Sequence, residues 1–123
     1  MKLPSKKLLS EVLGYSVVDV DKGTNNNTFR IYKDKHLFKY ISTYELMHLM
    51  KVWATKNGFF EIFSATTING KGVCCTVPED YDLEGVSYHE GSYTYENTEF
   101  EAVTQACEWI LKQGEASDNT KRS

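Results

Sequence analysis

The chain has 123 residues, 41% hydrophobic and 13% aromatic, and its 14 Lys+Arg against 17 Asp+Glu give a formal charge of −3. That length matches one domain with one core, and the apolar share excludes a disordered polymer. No apolar run approaches the roughly 20 residues of a membrane helix, and three cysteines, two of them adjacent, do not make the even, spaced disulfide framework of a small secreted protein.

In chain order, Ser5 is placed to cap a short helix ending at Leu13, with Leu8, Leu9, Val12 and Leu13 on one side and Gly14 as a left-handed stop. Residues 15–20 are β-branched and apolar and read as a strand. A hairpin follows, with arms at 28–32 and 37–41 joined by Lys33-Asp34-Lys35-His36 and with Phe29 and Ile31 sharing a face. Ser42 followed by Glu45 is a capping box and predicts a helix to about Lys56. Leu46, Met47, Met50, Trp53 and Ala54 form its core stripe, opposite His48, Lys51 and Thr55.

Strands at 59–67 and 71–77 flank Asn69-Gly70, a strong two-residue hairpin signal, and 92–96 reads as a further short strand. Thr98 with Glu101 is a second capping box, opening a helix whose stripe is Phe100, Val103, Cys107, Ile110 and Leu111 and which Gly114 is expected to end. The expected fold is α+β with two layers: a mostly antiparallel sheet of four to six strands, with helices packed on one face. Residues 1–113 make the domain and 114–123 a flexible polar tail.

Charge is unevenly spread, with net values of +4 for residues 1–39, +1 for 40–78 and −8 for 79–123. Residues 79–97 hold six carboxylates, four tyrosines and a histidine without a lysine or arginine. Such a run repels phosphate and attracts basic surfaces, so direct nucleic-acid binding is disfavoured and a basic protein partner is favoured. Tyrosines offer rigid faces tipped with hydroxyls, the chemistry of interface hot spots. Tyr81, Asp82, Glu84, Tyr88, His89, Glu90, Tyr93 and Tyr95 are therefore the candidate partner-binding residues. The alternative is a solvated edge strand whose acids only prevent unwanted pairing.

No spacing of acids, thiols or imidazoles specifies a reaction. Cys74 and Cys75 point to opposite faces of a strand, one to the core and one to solvent, and neither has a base placed beside it by sequence. Adjacent thiols chelate zinc poorly, and counting twelve from Asp80 reaches Gly91 rather than the glutamate of a calcium loop. Gly70-Lys71-Gly72 lacks the Lys-Ser/Thr pair of a phosphate loop, and Glu99 beside Glu101 is explained by the helix dipole. We therefore expect no catalytic residue, metal or cofactor.

Three segments, 3–14, 44–54 and 100–111 (LPSKKLLSEVLG, YELMHLMKVWA and FEAVTQACEWIL), together resemble small phage and prophage proteins of unassigned function. The resemblance carries no catalytic or binding residue with it and does not include the acidic run. It implies a cytoplasmic protein of a bacterial host cell, since the start Met-Lys-Leu-Pro-Ser has no apolar signal stretch. The expected function is a non-enzymatic accessory protein that binds and inhibits a host protein, with defence-system components among the candidate targets. The second reading is a small-molecule protein that sequesters a nucleotide signal, oligomeric, stacking the base on a tyrosine or Trp53 and holding phosphate with Arg30, Lys33 or Lys35. Homo-oligomers are compatible with both.

Overall fold

Capping chemistry sets the helices. Ser5 accepts the Leu8 N–H at 3.1 Å and opens α1 (Lys6–Leu13), which Gly14 closes at φ 79° by donating to the Ser10 carbonyl. Ser42 accepts the Glu45 N–H at 3.1 Å and opens α2 (Thr43–Asn57). Thr98 accepts the Glu101 N–H at 3.1 Å and donates its hydroxyl to that glutamate's carboxylate at 3.3 Å, opening α3 (Glu99–Arg122). The computed structural model describes residues 3–23, 27–57, 60–78 and 92–122.

Among the described residues six strands accompany these helices: β1 (Asp19–Lys22), β2 (Thr28–Tyr32), β3 (Phe38–Ser42), β4 (Phe60–Thr66), β5 (Gly72–Pro78) and β6 (Ser92–Glu96). They form two antiparallel three-stranded sheets, β1-β2-β3 and β4-β5-β6, not the one sheet of four to six strands that the pattern suggests. Ser42 both ends β3 and caps α2, and among the described residues β4 pairs with β5 and β5 with β6.

Two boundaries also differ from expectation. β1 spans Asp19–Lys22 rather than residues 15–20, and its register places Asp21 opposite Arg30, where carboxylate and guanidinium meet at 2.6 Å. Residues 15–18 instead tie α1 to the sheet, the Val17 N–H donating to the Ser10 hydroxyl at 2.9 Å. The α3 helix runs through Gly114 to Arg122. A glycine in a helix costs only about 1 kcal/mol, and this one adopts no left-handed φ that would stop it.

The core joins both sheets to all three helices. Leu8 and Leu9 enter from α1, Phe29, Ile31 and Ile41 from the first sheet, Leu46, Met50, Trp53 and Ala54 from α2, and Phe100, Val103, Cys107 and Ile110 from α3. Phe29 and Phe100 stack at 5.0 Å between ring centroids. On the second sheet α3 rests against β5 and β6, and the Thr94 hydroxyl donates to the Ala102 carbonyl at 2.7 Å. Gly72 makes this approach possible, since a Cβ there would overlap the backbone of Thr98 and Glu99.

Gly72→Ala should therefore lower the unfolding free energy by about 1–3 kcal/mol, the usual range for overpacking, as measured by urea denaturation. An unchanged midpoint would mean that α3 does not depend on this contact.

Candidate functional site

The two faces of β4-β5-β6 carry opposite kinds of side chain. Register sets Ser64, Cys74 and Thr94 in one row, Ile62, Thr76 and Ser92 in the next, and Thr66, Gly72 and Glu96 in a third, all on the face toward α3. These residues are mostly small. Thr76 and Ser92 share a hydroxyl–hydroxyl bond at 2.7 Å, and Thr76 also accepts the Ser92 N–H at 2.8 Å. The small residues let the helix lie close and satisfy the polar groups beneath it.

The bulky side chains therefore face out. Phe63, Cys75 and Tyr93 form one outward row, Ala65, Val73 and Tyr95 a second, and Glu61 lies opposite Val77. Phe63 is 58% exposed, Tyr93 68% and Tyr95 53%. Phe63 and Tyr93 are two strand spacings apart, about 10 Å, with Cys75 in the gap between them. From the size of these side chains, roughly 350 Å² of aromatic surface is open to solvent on this face, within the range of the largest apolar patch of an ordinary monomer.

Of the residues singled out by sequence, Tyr93 and Tyr95 fall on this face together. Tyr81, Asp82, Glu84, Tyr88, His89 and Glu90 lie outside the described residues. Phe63, Val73 and Cys75 were missed because each occupies an ordinary strand pattern. Only the register across β5 shows that they share the tyrosines' side. The signal available in the sequence was the set of small residues at alternate positions of 72–76 and 92–94, which marks the helix-facing side by its size.

The thiols divide as their strand and helix positions require. Cys74 is buried against α3, and burial pushes its thiol up to about 12; Cys107, buried in the α3 stripe, is pushed higher still by the same cause. Neither is suited to act as a nucleophile near neutral pH. Cys75 is half-buried at the centre of the outward face.

The residues proposed for a nucleotide do not assemble. Trp53 is in the core, where it has no face to offer a base. The Arg30 guanidinium is held by Asp21, and the Lys33 ammonium sits 4.3 Å from the centroid of the Tyr15 ring. A cavity of about 370 Å³ opens where α2 and α3 begin, lined by Thr43, Tyr44, Met47, Glu99 and Phe100 among others, but none of the three basic residues lines it. Its carboxylate, Glu99, is bound by the Ser64 hydroxyl at 2.6 Å and faces Lys51 at 3.8 Å. A carboxylate in the cavity opposes a phosphate there.

Among the described residues, no group of three or more His, Cys, Asp or Glu could hold a metal ion, and no helix is long and apolar enough to cross a membrane. Comparison with protein-family models, with curated proteins and with solved structures returns no match for this chain.

In the native protein at about pH 8, Cys75 should be the one thiol that reacts quickly with an aromatic disulfide reagent, and all three should react after unfolding. Fast labelling that survives Cys75→Ser would refute this placement. Cys74 ionises near 12 when folded, against 9.0 for an ordinary thiol. Above pH 9 the unfolded chain therefore releases a proton that the folded chain keeps, and the stabilisation present below pH 9 is lost as pH rises toward 12. Denaturation midpoints should fall over that window, and Cys74→Ala should reduce the fall without abolishing it, since the buried Cys107 contributes with the same sign.

Proposed function

We propose that this chain is a non-enzymatic binding protein that docks a basic protein partner on the outward face of β4-β5-β6. The observation that carries the reading is the inversion of that sheet: glycine, serine, threonine and cysteine face the helix while Phe63, Tyr93 and Tyr95 face water. The close approach of α3 requires small residues on the inner face, but nothing in that packing requires aromatic rings on the outer one, where polar side chains would serve folding equally well. A face that keeps three of them outside is better explained by a partner that covers them.

Charge supplies the partner's chemistry. Residues 79–91 connect β5 to β6 and carry Glu79, Asp80, Asp82, Glu84 and Glu90 without a lysine or arginine. Both ends of that connection are tied to neighbouring strands, where Thr76 pairs with Ser92. Five carboxylates with no cation among them favour a cationic partner. A second copy of this chain would bring the same carboxylates against themselves, whereas a basic surface with an apolar centre meets both requirements.

The phage-like segments extend the reading to an accessory protein that occupies and blocks a basic surface of a bacterial host protein, such as a nucleic-acid channel of a defence nuclease. Inhibition then needs no chemistry from this chain. The nucleotide-sequestering reading is less favoured, because Trp53 is buried, Arg30 and Lys33 are already engaged and the cavity is lined by a carboxylate.

The test pairs capture with a measured interaction. Wild type and the Phe63→Ser/Tyr93→Ser double variant are immobilised against a bacterial lysate, and any protein retained only by wild type is purified and titrated by calorimetry. A basic partner whose affinity falls at least about 100-fold in the double variant and weakens between about 50 and 300 mM salt supports the reading. Equal binding by the double variant would mean that the docking face lies elsewhere. The melting temperature of the double variant should stay within a few degrees of wild type, since both rings are mostly exposed.

A further inference from the structure

The first sheet also has an outward face, and its side chains are organised in a different way. Register places Asp19, Tyr32 and Phe38 in one row and Asp21, Arg30 and Tyr40 in the next. Phe38 lies 5.3 Å from Tyr32 and 5.3 Å from Tyr40 between ring centroids, edge-on to the latter, and Arg30 sits 5.9 Å from the Phe38 centroid. Arg30 donates from Nε to Asp21 at 2.6 Å, and the Tyr32 hydroxyl donates to the other oxygen of the same carboxylate at 3.2 Å.

Cross-strand pairing explains why these residues are neighbours. It does not explain why Phe38 remains 40% exposed and Tyr40 51%. Tyrosine and arginine are the residue types enriched in interface hot spots, and here they are already fixed by their neighbours. Docking against them loses less side-chain freedom than docking against mobile side chains.

We propose that this ladder is a self-association surface, on which a second copy of the chain docks face to face about a two-fold axis. Charge selects this occupant. The outward residues together with the β2–β3 turn hold three cations, Arg30, Lys33 and Lys35, and three carboxylates, Asp19, Asp21 and Asp34. A balanced surface of this kind meets its own copy without repulsion, and the exposed Asp19 offers each partner's Arg30 a second carboxylate. Neutrality also argues against a nucleic-acid strand, which needs excess positive charge along its backbone, and the mutually tilted rings do not present parallel planes for bases.

The open area is well below the roughly 800 Å² per partner of a standard interface, so the dimer is weak and concentration-dependent. Because it is built on apolar contact and balanced charge, it tolerates salt.

Sedimentation equilibrium of the full chain between about 1 and 500 µM tests the assignment. Wild type should pass from monomer toward dimer in the upper part of that range, with little change between about 50 and 500 mM salt. Tyr40→Glu should weaken association at least about tenfold, and Tyr40→Ser should act in the same direction without a new charge. Phe63→Glu, on the other sheet, should leave it unchanged. Thermal melts check that each variant is folded. A chain that stays monomeric throughout overturns the proposal, as does a dimer that Phe63→Glu abolishes and Tyr40→Glu keeps. Binding of a labelled single-stranded oligonucleotide that Tyr40→Glu removes would replace the second copy with a strand of bases.

Discussion

One turn of helix, Thr98-Glu99-Phe100, holds the two halves of this protein together. Its backbone lies on Gly72 of the second sheet, its carboxylate at Glu99 takes the hydroxyl of Ser64, and its ring at Phe100 stacks on Phe29 of the first sheet. Through these contacts the sheets share a core although, among the described residues, no strand pairs across them. The close approach depends on small residues beneath the helix, because a bulky row at Gly72, Cys74 and Thr76 would lift α3 and separate Phe100 from Phe29.

That constraint has a consequence for the surface. A strand alternates its side chains between faces, so assigning the small residues inward necessarily sends Phe63, Cys75, Tyr93 and Tyr95 outward. The first sheet solves its alternation the other way, with Phe29, Ile31 and Ile41 inside, yet it still exposes the Phe38 and Tyr40 rings. The molecule thus shows an aromatic outward face on each of its two sheets.

The adjacent cysteines illustrate how position determines chemistry in this fold. Cys74 and Cys75 are identical in composition and neighbours in sequence, yet one lies against α3 with its proton held to high pH while the other is part of the outward face. No reactive pair arises, because the strand points the two sulfurs apart. Their separation follows from β geometry alone; which of them faces inward follows from the packing of α3.

Sequence by itself determined the local elements. The three helix starts, at Ser5, Ser42 and Thr98, were legible because a capping side chain and its backbone partner lie within one turn, and Gly14 and Asn69-Gly70 mark stops and turns by their tolerance of positive φ. The core stripes of α2 and α3 were legible from helical periodicity, as was the shared face of Tyr93 and Tyr95 from the period of a strand. Only the tertiary structure decided what depends on residues far apart. The division into two sheets, the course of α3 past Gly114, the shift of β1 toward Arg30 and the membership of Phe63 in the tyrosine face all rest on pairing and packing between segments. No local pattern encodes such contacts, because their energy exists only once the chain has brought those segments together.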